Sequence, residues 1–219
     1  MLVPKRIDTP ELLDEHDAPR EDMERSLRDL RRFNRFYGGR GVYRRLLRKM
    51  AKHSPLSILD IATGTADLIE KYVDTPLRVG VDFKIDHLLY MRDGSAVRRV
   101  VGDALHLPFL NNAFEVVTSS HFFHHLTSEQ NEEMLQEALR VARRGVIVND
   151  TRRHYIPWLV VKIIGWLRIT GRITRSDAPA SVLRGYTPEE VGEIAFRVSA
   201  KRVDVVRAWP FRFGLLLWK

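Results

Sequence analysis

The chain has 219 residues and a formal charge of +8, from 36 Lys and Arg against 28 Asp and Glu. At 44% hydrophobic and 29% charged it is too apolar for a disordered tail, and its length suits a single domain over residues 1–219. With no cysteine, thiolate nucleophiles, thiolate metal sites and disulfides are excluded, while the positive balance suits an anionic partner.

The leader, to Pro19, carries Asp8, Glu11, Asp14, Glu15 and Asp17 around no apolar core. It predicts irregular structure, no secretory signal and a cytoplasmic location. Met23, Leu27, Leu30 and Phe33 then recur at steps of three and four, which predicts a helix from Arg20 to Tyr37 stopped by Gly38 and Gly39. Its other face is a run of arginines, either solvated or turned to a ligand. A second helix is expected from Val42 to Lys52, so that residues 1–53 form a helical cap.

From Leu56 the texture becomes strand alternating with helix. Short β-branched runs at Leu56–Ile61, Leu77–Val81, Arg98–Val101, Val116–Ser119 and Gly145–Val148 read as strands, with helices at Asp67–Tyr72 and Ser128–Arg143 between them. This is the rhythm of a parallel sheet covered on both faces. Val203–Arg207 and Phe213–Trp218, divided by a turn at Pro210, predict an antiparallel hairpin closing one sheet edge. Tyr155–Ile169 is the most apolar stretch, but at fifteen residues with Lys162 and Arg168 inside it is short of the roughly 20 that span a bilayer. It reads as a buried core helix, an interfacial helix or a lid within an inserted segment at 151–185.

The chemistry concentrates at strand ends. Ile58–Asp67 (ILDIATGTAD) runs from a strand through the small residues Ala62, Thr63, Gly64, Thr65 and Ala66 to a helix N-terminus at Asp67, which offers free N–H groups to a polar ligand. The spacing lacks two glycines of the dinucleotide fingerprint, so a nicotinamide cofactor fits less well. Asp82 ends the second strand, where a carboxylate can accept from both ribose hydroxyls. Asp103 follows the third strand and Ser119 ends the fourth. Asp60 is either a cofactor contact or a carboxylate that orders the loop.

These four elements in register resemble the class I S-adenosylmethionine-dependent methyltransferases: LDIATGTAD their first motif, GVD their second, GDALHLPF the loop over the adenine, and FEVVTSSHFFHHL the fourth-strand motif. The resemblance implies a Rossmann-like α/β fold, a seven-stranded, mostly parallel sheet ending in an antiparallel hairpin, and S-adenosyl-L-methionine as cofactor. It implies that Gly64 lies against the cofactor's amino-acid part, that Asp82 holds the ribose, and that Asp103 accepts from the adenine amino group. Asp60, Ala62, Thr63, Asp67, Phe83, Ala104 and Ser119 complete the expected set. LRDLRRFNRFYGG, SSHFFHHL and RVARRGVIVNDTRRHY look, more narrowly, like small bacterial methyltransferases encoded beside type III polyketide synthases, acting on phenolic or quinonoid lipids. That likeness places Arg31, Asn34 and Gly38 near the ligand.

On the acceptor side, His121, His124 and His125 cluster after the fourth strand, and a histidine can take the proton of a phenol. No acidic residue stands beside them at metal-ligand spacing, so no metal is expected. Asp150 and Arg153 after the fifth strand, Trp158 in the lid and Arg184 after it are the expected acceptor contacts. O-methylation of a small apolar phenol or quinone is favoured over C-methylation. A nucleic-acid methylase is less favoured, because no N/D-P-P-Y motif is present and aromatics do not gather on the basic helix. A non-catalytic protein resting on an anionic membrane is the remaining alternative, and peripheral membrane contact is compatible with either role.

Overall fold

In the computed structural model, residues 3–12, 19–36, 39–51, 57–72, 74–92 and 94–219 are described. Tyr37, Gly38, Lys52 and Leu56 of the expected elements lie outside them, as do Asp14, Glu15 and Asp17 of the leader. The first helix, α1 (Arg20–Phe36), and the second, α2 (Gly39–Met50), follow closely. Gly39 therefore opens α2 where it was expected to end α1.

Among the described residues seven strands form one sheet: β1 (Ser57–Ile61), β2 (Leu77–Asp82), β3 (Val97–Val101), β4 (Phe114–Ser120), β5 (Ala142–Thr151), β6 (Arg202–Ala208) and β7 (Arg212–Trp218). Their order is β3-β2-β1-β4-β5-β7-β6, parallel as far as β5, with β7 antiparallel to both β5 and β6. The chain reverses its winding between β1 and β4, the place where open α/β sheets leave a crevice at their carboxyl ends. Side chains alternate across the sheet. Phe213, Leu215 and Leu217 of β7 enter one core with α5 (Ser128–Val141) and α8 (Pro188–Phe196), whereas Leu216 enters the other with α2.

α2 is thus part of the core rather than a cap: Val42, Tyr43, Leu46 and Met50 pack on Ile58, Ile147 and Leu216. The close approach depends on glycines. A Cβ on Gly145 would stand 2.2 Å from the Leu217 carbonyl and 2.9 Å from the Met50 sulfur, and one on Gly214 would stand 2.6 Å from Leu46. α5 begins in a capping box of Thr127 with Gln130 and runs directly into β5 at Ala142, two residues before the sequence predicts its end. Short α4 (Ile85–Leu89), α7 (Arg172–Arg184) and α8 have no strong apolar period and escape sequence reading; α3 (Asp67–Tyr72) and α6 (Tyr155–Trp166) match it.

Residues 3–12 of the leader are irregular but not loose. Arg6 donates to the carbonyls of Arg184 and Leu126 and lies over the Tyr186 ring, and the Leu12 amide donates to Asp177 at 2.9 Å. Residues 3–12 therefore form a strap across α7. α1 is fastened to α7 by a buried carboxylate, Asp29, which accepts from the Gly171 amide at 2.8 Å and the Thr174 hydroxyl at 3.1 Å.

Gly145→Ala should cost about 1–3 kcal/mol in urea unfolding, since it must displace a backbone carbonyl in a packed core. Gly192→Ala, within α8 and with nothing within 4 Å of the new methyl, should instead stabilise by about 0.5–1 kcal/mol through helix propensity. Equal effects at the two sites would contradict the packing described.

Candidate functional site

Two cavities lie at the carboxyl end of the sheet. The first, about 440 Å³, is bounded by the loop after β1, the end of β2, the loop after β3 and the turn after β4. The loop after β1 is held in an uncommon backbone. Ala62, Gly64 and Ala66 have φ of 52°, 54° and 56°, a left-handed region that a methyl group disfavours. Two alanines in that conformation persist because neighbours fix them, the pattern that accumulates at ligand sites. The Thr63 amide donates to the Val81 carbonyl, and the Thr63 side chain fills the space above Gly80 where a Cβ would stand at 2.6 Å.

Asp60 and Asp82 organise this loop from below and beside it. Asp60 is buried and accepts from Thr118 Oγ1 at 2.6 Å and Thr63 Oγ1 at 2.9 Å. Burial pushes its carboxyl up to about 7, although those two hydroxyls pull the other way. Tyr43 lies beyond Thr118, its phenol held well above the usual range by burial and by Asp60. Asp60 thus borders the cavity with both oxygens engaged, the loop-ordering alternative. Asp82 accepts from the Gly64 amide at 2.8 Å and the Lys84 amide at 3.0 Å and lines the cavity.

The other expected cofactor residues divide. Ala62, Thr63, Gly64, Asp67, Phe83, Asp103 and Ala104 line the first cavity. Phe83 is exposed beside it, and Asp103 stands at the rim with Oδ1 accepting from the Leu105 amide. Ser119 does not line it; strand alternation turns it into the sheet and brings the next residue, Ser120, to the wall. Arg31 works at one remove, donating to Thr65 Oγ1 and to the Tyr90 carbonyl, both at 3.0 Å, and so clamps α1 over the loop. Leu27 and Leu30 of α1 face the cavity instead. The side chain of Asn34 lies outside the described residues.

The site fits a nucleoside carrying a polar chain. A Cβ added at Gly64 meets nothing within 4 Å, so the loop backbone is open to a ligand, and among the described residues the buried Ser120 hydroxyl has no partner. The volume falls within the range of about 300–1,000 Å³ usual for small-molecule sites.

The second cavity, about 520 Å³, lies under α6 and α7 and meets the first at Leu30, His121 and His125, which border both. Its walls include Glu11 and Phe33, together with Pro157, Val160 and Val161 of α6. Trp158, expected there, is displaced by helical geometry: one residue past Pro157 it points about 100° away, with Tyr155 and Lys162 against its ring.

The three histidines occupy different environments. His124 is buried, its Nδ1 2.9 Å from both oxygens of Asp150 and its Nε2 3.4 Å from Glu11. Burial opposes its charge, yet Asp150 and Glu11 outweigh it and push His124 up to about 10. Asp150 is likewise pushed up by burial but held far below the carboxylate range by His124. Asp150 is therefore the partner of an imidazolium and lines neither cavity. His125 stands 3.8 Å from Glu11 and stacks on Phe122. His121 is held at φ 58°, with its Nε2 accepting from Arg212 Nη1 at 2.6 Å. Burial and Arg212 hold it well below its ordinary range, so it is neutral with that lone pair taken.

Arg153 and Arg184 line neither cavity. Arg153 donates to the Gly185 carbonyl and to Glu190, while Arg184 donates to the carbonyls of His124, His125 and Thr9 and so fixes the histidine turn. Sequence reading missed Glu11, because nothing local marks one acidic residue of a leader as buried. It also missed Arg212, which opens β7. The acidic neighbours absent from sequence spacing are supplied by the fold, and Glu11, His124 and His125, or His121, His124 and Asp150, are close enough to hold a metal ion.

Comparison with known proteins agrees with this geometry. Residues 58–145 match a family described as a methyltransferase domain. A demethylmenaquinone methyltransferase from Renibacterium salmoninarum is 29% identical over 166 residues, covering 74% of this chain and 63% of that protein. One from Roseiflexus sp. is 37% identical over 97 residues, covering 41% and 40%. The chain thus spans less than two thirds of these curated relatives. Among solved structures, the plantazolicin methyltransferase BpumL in complex with SAH superposes with a TM-score of 0.68 at 13% identity, over 94% of this chain and 92% of that one. A SAM-dependent methyltransferase from Aquifex aeolicus superposes with a TM-score of 0.63 at 18% identity, over 88% and 96%. The fold is the Rossmann-like methyltransferase fold.

The raised Asp60 carboxyl has a measurable consequence. A group that binds its proton more tightly in the folded state adds stability at low pH, and this contribution fades as pH rises from about 4 to about 7. Asp60→Asn should remove that decline, so the stability difference between the two proteins should shift by on the order of 4 kcal/mol across the window. A difference flat with pH would mean that Asp60 is ionised throughout.

Proposed function

We propose that this chain is an S-adenosylmethionine-dependent methyltransferase acting on a small apolar phenol or quinone-like acceptor, with O-methylation favoured. The observation that carries the proposal is the meeting of the two cavities at Leu30, His121 and His125. A nucleoside-sized cleft edged by carboxylates and a somewhat more apolar chamber share one wall, as a transfer between two bound molecules requires. The methyltransferase-domain match and the demethylmenaquinone methyltransferases named above support methyl transfer to a quinone-like acceptor.

The cofactor, when bound, supplies an activated methyl group on a sulfonium. The protein's part is to position and to exclude water, effects that can contribute about 7 kcal/mol or more. Gly64 and its neighbours offer backbone to the amino-acid portion, Asp82 accepts from the ribose, and Asp103 at the rim accepts from the base. Arg31 keeps α1 closed over the loop, while Leu27 and Leu30 shield the cleft. α1 and residues 151–185 act as cap and lid of one domain, with α2 in its core.

The acceptor is lipidic and reaches the second cavity from a membrane surface. No described helix is long and apolar enough to cross a bilayer. α6 has no buried residue, and Leu159, Ile163, Leu167 and Ile169 are exposed along it and just beyond, with Trp166 80% and Trp209 83% exposed. Residues 151–176 hold six Lys and Arg and no Asp or Glu. An apolar helix with aromatic residues and a basic surround suits the boundary of an anionic bilayer. Its inner residues, Pro157, Val160 and Val161, wall the acceptor cavity.

S-adenosylhomocysteine should bind in isothermal titration, and Asp82→Asn should weaken it by tenfold or more, the loss of about 1.5–3 kcal/mol usual for a hydrogen bond to a charged group. Methyl label should pass to alkylphenols or hydroxyquinones; transfer to total RNA alone would replace the acceptor proposed. The protein should sediment with vesicles rich in phosphatidylglycerol more than with phosphatidylcholine, and Trp166→Glu should reduce that binding at unchanged affinity for S-adenosylhomocysteine.

A further inference from the structure

A buried guanidinium stands in the wall of the acceptor cavity. Arg212 opens β7, is 3% exposed, and lines the wall beside His121 and Phe211. Two of its three nitrogens are engaged: Nε donates to Asn149 Oδ1 at 3.0 Å, and Nη1 to His121 Nε2 at 2.6 Å. Asn149 is itself fixed, donating to the Gly39 carbonyl at 3.2 Å. Among the described residues Nη2 is buried and has no hydrogen-bond partner. A buried N–H left without an acceptor is unfavourable, and native proteins rarely keep one that a ligand, water or ion does not satisfy.

We propose that Arg212 is an oxyanion site in the acceptor cavity, which takes the ionised oxygen of a phenolate or enolate and presents it toward the cofactor cleft. The inference rests on the methyl-transfer function proposed above and narrows its substrate to acceptors that bind ionised. Burial pulls Arg212 down to about 10, so it remains a cation at neutral pH. Asp150 is its nearest described carboxylate influence, but the Asp150 oxygens are committed to His124 and to the Thr151 amide. The guanidinium thus keeps donor capacity for a second anion.

The arrangement also redefines His121. Its Nε2 lone pair is occupied by Arg212, so it positions the guanidinium and the wall shared by both cavities rather than removing a proton. The acceptor leaves its proton to solvent on binding. In the transfer its oxygen forms a bond to the methyl carbon while the carbon–sulfur bond breaks, and that electron pair stays on sulfur. The oxyanion and the sulfonium both end neutral, and no proton moves in that step.

The test is an absorbance titration of 4-nitrophenol bound to the protein saturated with S-adenosylhomocysteine, since phenol and phenolate absorb at different wavelengths. The bound nitrophenol should ionise at least about one pH unit below the free compound, the effect of an adjacent arginine on an acid. Glu11, His121, His124, His125 and Asp177 also line this cavity and Asp150 lies behind it, so the comparison that isolates the guanidinium is with Arg212→Met, which should abolish the shift. Arg212→Lys should restore part of it. Nitrophenol that does not bind, binds as neutral phenol, or shows the same shift in Arg212→Met would overturn the oxyanion site. If Arg212→Met does not fold, Arg212→Gln takes its place in the same comparison. Failure of S-adenosylhomocysteine to bind would instead sink the methyltransferase reading, a separate result from the same sample.

Discussion

The imidazolium of His124 lies between two buried carboxylates, and the acceptor side of the molecule is organised around it. Asp150 comes from β5, Glu11 from the leader strap, and His124 from the turn after β4. A buried ion with one partner removed is costly, so three distant segments are held together or not at all. Ser181 of α7 joins by donating to Glu11 at 2.7 Å, and Arg184 binds the turn through its carbonyls. The cavity floor is therefore a network of charge and hydrogen bonds beneath the apolar helix α6. Such a network holds its geometry because every member is satisfied by another.

On the cofactor side Asp60 has the matching place. A carboxyl pushed up to about 7 and bonded to Thr63 and Thr118 is a weakly ionised strut inside the core. Through Thr63 it steadies a loop whose alanines stand in left-handed conformations. Arg31 completes the fastening from above by its bond to Thr65. Leu30, one residue before Arg31, reaches the wall common to both cavities, so α1 touches cofactor loop and acceptor chamber at once.

The two chambers differ in how they meet solvent. The cofactor cleft follows the crevice that the sheet topology creates, and the strand ends supply its polar groups. The acceptor chamber is roofed by α6, whose outer face is apolar and exposed and whose inner face is the cavity wall. In the proposed function this one helix faces a bilayer on one side and a lipidic acceptor on the other. The arginine beneath it, buried and incompletely bonded, suits the single polar end of such a molecule.

By itself the sequence determined the β–α alternation, the C-terminal hairpin, the apolar helix over Tyr155–Trp166 and the cluster of small and acidic residues at the first two strand ends. Each is a local signal: period two or 3.6 in apolar residues, or a loop of small side chains beside a helix N-terminus. Tertiary structure decided what each polar residue touches. Asp60, Asp150, Arg153 and Arg184 looked like ligand contacts because they sit near strand and helix ends, yet their partners are protein groups from 1 to 175 positions away. Ser119 and Trp158 were each misplaced by one residue, enough to turn a side chain through the sheet or around the helix. Glu11 and Arg212 gave no signal at all, because burial of a charge depends on which distant segments converge on it, and no local pattern of residues records that convergence.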